Sequence, residues 1–195
     1  NLNWTVASLT GLVFGLPLNL PIKGNDYRSS DELFLPGAGS ILELFERGGY
    51  SGSLIVGSDA GFGGIKNVFL NHVANPNVYD LHSFNEQADA RDLDWGLNDK
   101  RLYQKAKERL LFLYEQKSPF FVIIQTIDTH STARSYGDFP EPHGDARDAF
   151  IAADHMADAF LSWLSEQEFY ADTTILVVGD HRYMGNRLGD VQLHG

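Results

Sequence analysis

Cysteine is absent from the 195 residues. That removes disulfides, thiolate zinc sites and a cysteine nucleophile from consideration, and leaves the compartment open. Basic residues are scarce, 15 Lys and Arg against 26 Asp and Glu, for a formal net charge of −11. A surface of that sign repels a phosphate backbone, so nucleic-acid partners are excluded. No apolar run approaches the roughly 20 residues that cross a bilayer, and no signal peptide, repeat or low-complexity tract is present. An initiator methionine is missing at Asn1, and the chain stops soon after its last strand-like run. Both ends point to a piece of a longer protein, so the lack of a membrane anchor here says nothing about the parent chain.

What is present is a hydrophobic content of 43%, enough for one domain with a real core. The most telling stretch is Ile175-Leu-Val-Val-Gly-Asp180-His181. A β-branched apolar run reads as a buried strand of a parallel sheet. Ligands of open α/β sheets bind just beyond the carboxyl ends of strands. Asp and neutral His placed there offer hard oxygen and borderline nitrogen to a divalent metal. A second run, Phe120–Gln125, leads into Asp128-Thr129-His130. Two buried strands that both exit into Asp and His indicate a metallo-site in an α/β enzyme.

Around these runs the pattern predicts helices over 5–14, 40–47, 62–73, 98–116 and 145–166, and strands over 53–56, 120–125 and 173–178. Leu102, Ala106, Leu110 and Leu113 form the apolar face of the long central helix. Phe150, Ala153, Ala157, Phe160, Leu161 and Leu164 form that of the last one. The stretches 25–39 and 126–144, and the Asn-, Asp- and Pro-rich segment after residue 73, read as loops. The acids from Asp89 to Asp99 read as a solvated face. Helices alternating with short apolar strands give an α/β fold, a three-layer αβα sandwich around a mostly parallel sheet.

Several residues could carry chemistry. Thr5, before an apolar helix, reads locally as an N-cap. A helix N-terminus also favours a bound phosphate, and a hydroxyl held there on a metal loses its proton more readily, becoming a nucleophile. Thr10, in mid-helix, reads as packing. His130 is either a turn histidine or a group that hydrogen-bonds an anionic substrate or protonates a leaving group. Trp95 either plugs a core edge or walls a ligand pocket. His72, His82, His143, His155 and His194 lack supporting partners and read as structural or surface residues. Asp154 and Asp158 sit on or beside a helix face, either buried against a backbone group or exposed.

Taken in order, these segments resemble the membrane-anchored phosphoglycerol transferases of the sulfatase-like, alkaline phosphatase superfamily, a group that includes lipoteichoic acid synthases and transferases that decorate periplasmic glucans. Trp4-Thr5-Val6-Ala7 is similar to the nucleophile segment of the glucan-modifying members, with Gly15-Leu16-Pro17-Leu18 following. Leu35-Pro36, Ser40-Ile41-Leu42 and Gly48-Gly49-Tyr50 resemble the helix and turn before the second strand, and Phe62–Lys66, Phe69 and His72 the segment after it. Trp95-Gly96-Leu97-Asn98-Asp99 resembles the Trp-Gly element, Thr126–His130 the Thr-x-Asp-Thr-His run, and Gly179-Asp180-His181 the metal-binding Asp-His.

The resemblance implies a transfer in which Thr5 is both nucleophile and metal ligand, Asp180 and His181 are metal ligands, and Trp95 and His130 contact the phosphoglycerol. It implies one divalent ion, Mn²⁺ first with Mg²⁺ or Zn²⁺ as alternatives. It further implies a phosphoglycerol-bearing lipid donor, a glycan or polymer acceptor, and an extracytoplasmic site on a membrane-anchored parent. Residues 1–195 then form part of one catalytic domain that lacks its first strand, which carries a Glu ligand in the family, and its C-terminal portion. Val56-Gly57-Ser58-Asp59 stands where lipoteichoic acid synthases commonly show His-Gly-Asn, which favours a Gram-negative-like relative. The alternatives are a phosphodiesterase or phosphoethanolamine transferase, a sulfatase-like hydrolase, or a non-catalytic binding domain that retains the fold. A sulfatase in the chemical sense is disfavoured by the lack of Cys and of Ser-x-Pro-x-Arg, and a phosphoethanolamine transferase by the lack of disulfides.

Overall fold

Ser51–Val56, with five of its six residues buried, forms β1, the middle strand of a parallel sheet. In the computed structural model, which describes residues 4–18, 33–84, 96–130, 139 and 146–183, β1 pairs on one side with β2 (Asn77–Tyr79) and on the other with β3 (Phe120–Gln125). The register sets Ser53 beside Asn77 and, across the other edge, Ser51 beside Phe120 through to Val56 beside Gln125. Because side chains alternate along a strand, Leu54, Val56, Phe121 and Ile123 serve one face while Ile55, Phe120, Val122 and Ile124 serve the other.

Helices cover both faces, which is what strands apolar on both sides require. Against the first face lie α1 (Thr5–Phe14), α2 (Ile41–Arg47) and α3 (Ile65–Leu70), bringing Val6, Val13, Leu42, Ile65, Val68 and Phe69. Against the second lie α4 (Asp99–Glu115) and α5 (Ala146–Ser165), bringing Leu102, Ala106, Leu110, Phe160 and Leu164. The three-layer αβα sandwich is therefore the fold. Local chemistry fixes the ends. Ser40 and Glu43 form a reciprocal capping box at α2, satisfying two otherwise orphan N–H groups. Asn98 caps α4 by accepting from the Arg101 N–H at 3.0 Å. Gly15, at φ 66°, ends α1 in the left-handed conformation that glycine adopts without a Cβ penalty.

Five expectations need correction. The helix expected over 62–73 begins as a 3₁₀ turn, Phe62–Gly64, because Gly63 and Gly64 take φ of 60° and 78°, and α3 itself ends at Leu70. The loop expected after residue 73 contains β2, whose three residues are too few to show a period of two. The apolar face of α5 is rotated from the one expected. Ala149, Ala152, Met156, Phe160 and Leu164 are buried, whereas Phe150 is 37% exposed and meets Tyr183 edge-on. Asp99, at the end of the supposedly solvated acidic stretch, is 1% exposed.

The strand expected over 173–178 has no ladder. It is chain without strand pairing, with Leu176 and Val177 76% and 77% exposed. Before that segment, Phe169 meets Phe120, the first residue of β3, at 5.9 Å between ring centroids. The segment's far end comes close to His130, beyond the carboxyl end of β3. Among the described residues the segment pairs with no strand, and β3 is an outer strand of the sheet.

Candidate active site

Residues far apart in sequence meet beyond the carboxyl end of β3. Thr5 is the first residue of α1; the N-cap is Trp4, which makes no side-chain capping bond. The local N-cap reading of Thr5 is therefore overturned: its hydroxyl is turned away from its own helix and donates to Asp180 Oδ2 at 2.9 Å. Thr5 Oγ1 also lies 3.5 Å from His181 Nε2, and His181 Nε2 lies 3.3 Å from Asp180 Oδ2.

A hydrogen bond orients the His181 imidazole. His181 Nδ1 is 2.8 Å from the Arg182 carbonyl, which can only accept, so Nδ1 carries a proton and Nε2 is turned toward Thr5 and Asp180. The His181 N–H donates to Asp180 Oδ1 at 2.8 Å, fixing the other end of the carboxylate. Ser8, on the same face of α1 as Thr5, donates to the Asp180 carbonyl and so ties this turn to the helix. Spacing of three along a helix is the signal that finds Ser8; the sequence reading did not use it.

The donor set suits a divalent cation. A hydroxyl, a carboxylate oxygen and an imidazole nitrogen converge within 3.5 Å of one another. With Nε2 unprotonated, as a metal ligand must be, the three atoms would present electron pairs to a cation placed among them. Thr5 is half-buried and Asp180 exposed, so the cluster is open to a ligand. Among the described residues no group of three or more His, Cys, Asp or Glu side chains forms a metal cluster, because one of the three groups here is a threonine hydroxyl.

His130 stands beside the cluster. Burial holds its imidazole below the ordinary value, the neighbouring His181 pushes the same way, and Asp180 opposes them. Asp128 does not join the cluster as its place after β3 suggested. It is 2% exposed and turned into the base of α4, where it accepts from the Asp99 N–H at 3.1 Å. Trp95 lies outside the described residues. The next residue, Gly96, packs on the end of β1, with φ 151° and an ideal Cβ that would fall 2.1 Å from the Gly57 carbonyl oxygen.

Of the other histidines, His72 is buried with Nε2 2.7 Å from the Phe34 carbonyl, and His82 lies exposed 3.6 Å from Asp59. His155 stacks with Phe139, and His143 and His194 lie outside the described residues. Asp154 and Asp158 are exposed, and Thr10 is buried with its hydroxyl on the Val6 carbonyl. No described helix is long and apolar enough to cross a membrane.

Solved structures share this architecture. A protein of the alkaline phosphatase superfamily from Vibrio parahaemolyticus superposes over 93% of this chain and 47% of its own, with a TM-score of 0.69 at 20% identity. The lipoteichoic acid synthase LtaP from Listeria monocytogenes does so over 83% and 40%, with a TM-score of 0.62 at 16% identity. In sequence the chain is 27% identical over 198 residues to phosphoglycerol transferase I of Xanthomonas axonopodis pv. citri, covering 96% of the chain and 28% of that relative. The same-named protein of Escherichia coli is 25% identical over 195 residues, covering 94% and 25%. The chain thus spans about a quarter of the length of these relatives. The family model described as Sulfatase matches residues 23–195, and the chain belongs to that family.

Proposed function

We propose that this chain is part of the catalytic domain of a metal-dependent phosphoglycerol transferase acting on a lipid-linked donor and a glycan or polymer acceptor at the extracytoplasmic face of a membrane. The observation that carries the reading is the meeting of Thr5 with Asp180 and His181 across 175 residues of sequence. Thr5 Oγ1, Asp180 and His181 Nε2 would hold the divalent ion, Mn²⁺ in first place. Bound there, such an ion supplies charge neutralisation at the phosphoryl group and favours the alkoxide of Thr5.

The chain's own groups do the rest. The Thr5 hydroxyl releases its proton, Oγ1 bonds to phosphorus, and the bond from phosphorus to the donor alcohol breaks; the departing oxygen takes up a proton. The acceptor hydroxyl then attacks the same phosphorus, its proton leaves, and Thr5 Oγ1 is released. Phosphoryl transfer depends on positioning and electrostatics more than on elaborate acid–base work. The N-terminus of α1, which lacks a side-chain cap, aims free N–H groups and the positive end of the helix dipole at an anion beside Thr5. His130, whose burial favours the neutral imidazole, is the proposed contact to a phosphoryl oxygen or glycerol hydroxyl. Trp95 is the proposed wall for the glycerol.

The domain is completed, on this reading, by one more parallel strand between β3 and the unpaired 173–178 segment. Its support is the exposed apolar run Ile175–Val178, which pairs with no strand among the described residues. Thr5→Ala in the full-length protein tests the function: it is expected to abolish phosphoglycerol transfer and leave the thermal unfolding profile unchanged. Wild-type turnover by that variant overturns the nucleophile assignment.

A further inference from the structure

Three buried polar residues outside the Thr5 cluster, Asn98, Asp99 and Asp128, meet at one joint, where β3 ends and α4 begins. Asp99 and Asp128 are 1% and 2% exposed. The Asp99 N–H donates to Asp128 Oδ2 at 3.1 Å, while the Ile127 and Asp128 N–H groups donate to Asp99 Oδ1 and Oδ2 at 2.7 and 3.3 Å. Each carboxylate thus grips the other residue's backbone. Asp99 is not needed to cap α4, because Asn98 already does so. Burying two acids at one joint is costly, and burial pushes Asp99 up to about 6 against the pull of its two backbone donors. Helix capping and apolar packing do not require that arrangement; fixing the 127–128 turn does.

That turn leads directly to His130. The His130 N–H donates to the Ile127 carbonyl at 2.9 Å, so the peptide units that Asp99 grips also set where the imidazole stands. We propose that Asp99 is a positioning residue for His130: its carboxylate holds the Ile127–Asp128 turn and thereby places the ring beside Thr5, Asp180 and His181. The inference rests on the reading of His130 as a substrate contact, and the two fail separately in the test below.

The test compares Asp99→Asn, Asp128→Asn, His130→Ala and the double variant Asp99→Asn/His130→Ala in the full-length protein. An amide at 99 retains one acceptor and turns an NH₂ toward the second backbone N–H. An amide at 128 retains the single acceptor that the Asp99 N–H needs. Asp99→Asn is expected to raise KM for the phosphoglycerol donor by about tenfold, the scale of a small misplacement, and Asp128→Asn by less than about threefold. In the His130→Ala background Asp99→Asn is expected to add almost nothing, because the ring it positions is gone; full additivity overturns the inference.

A second readout is independent of activity. The His130 imidazole resonances are expected to move in Asp99→Asn and hold in Asp128→Asn, and unmoved resonances in Asp99→Asn overturn the inference. An unchanged KM in His130→Ala overturns the substrate-contact reading alone, and the resonances then decide the positioning role. If Asp99→Asn does not fold, Asp99→Glu, which keeps both acceptors one methylene further out, carries the same readouts.

Discussion

Replacing Asp99 by Asn removes a buried acid whose proton affinity differs between the folded and unfolded chain, and the size of the effect follows from that difference. The folded chain holds the proton up to about pH 6, the unfolded chain only to the ordinary 3.8. Between those values the folded state binds more protons, so this group's contribution to stability is full below pH 3.8 and is lost as pH rises through about 6. At ~1.4 kcal/mol per pH unit the loss is about 3 kcal/mol. Most of it falls between pH 4 and 7.

Within the net charge of −11, the charges other than Asp99 add a repulsive background, and both proteins share those, so the informative quantity is their difference. Urea unfolding of wild type and Asp99→Asn at half-unit steps from pH 4 to 7 gives it directly. The wild type is expected to lose about 2–3 kcal/mol relative to the variant across that window. A difference that stays flat, or that favours the wild type as pH rises, refutes the claim that burial governs Asp99.

Other expectations follow from single contacts. Leu102→Ala, at a fully buried position between α4 and the sheet, is expected to cost about 2–5 kcal/mol in chemical denaturation; a cost under about 1 kcal/mol contradicts the packing described. Gly96→Ala places a Cβ 2.1 Å from the Gly57 oxygen at φ 151°, and a large fall in melting temperature is expected, whereas an unchanged one refutes the close approach. Ser8→Ala releases the Asp180 carbonyl and is expected to weaken Mn²⁺ binding by about 10–100-fold in a direct titration, with unchanged affinity as the contrary result. His130, held down by burial, is expected to titrate below 6.5 by NMR in the metal-free chain; a midpoint above 6.5 means the ring is not where the structure puts it.

Most of the scaffold was legible in the sequence because its signals are local. The face Leu102, Ala106, Leu110 and Leu113 follows from helical spacing alone and is buried as expected. Helix α1, bounded by Trp4 and Gly15, matches its expected range. Failures came where tertiary context decides. Ile175–Val178 has every intrinsic mark of a strand, yet a strand needs a neighbour, and none pairs with it among the described residues. Phe150 looked like core by its helical spacing, but the buried side of α5 carries alanines and Met156.

For the candidate site, the sequence supplied residue types and order, while the partner of each group became visible only in three dimensions. The Thr5 hydroxyl belongs to Asp180, not to its own helix. The Asp128 carboxylate belongs to α4, not to the cluster that its motif suggested. No local pattern distinguishes a carboxylate that binds a cation from one that grips a backbone N–H, since both need an oxygen at the end of a strand.

The central claim is that Thr5, Asp180 and His181 together hold a divalent ion at the start of α1. An anomalous-scattering map from crystals of the full-length catalytic domain soaked in Mn²⁺ tests it most directly. The account predicts a peak about 2.0–2.4 Å from Thr5 Oγ1, an Asp180 carboxylate oxygen and His181 Nε2, distances usual for oxygen and nitrogen ligands. A peak bound elsewhere, or none at saturating Mn²⁺, contradicts it.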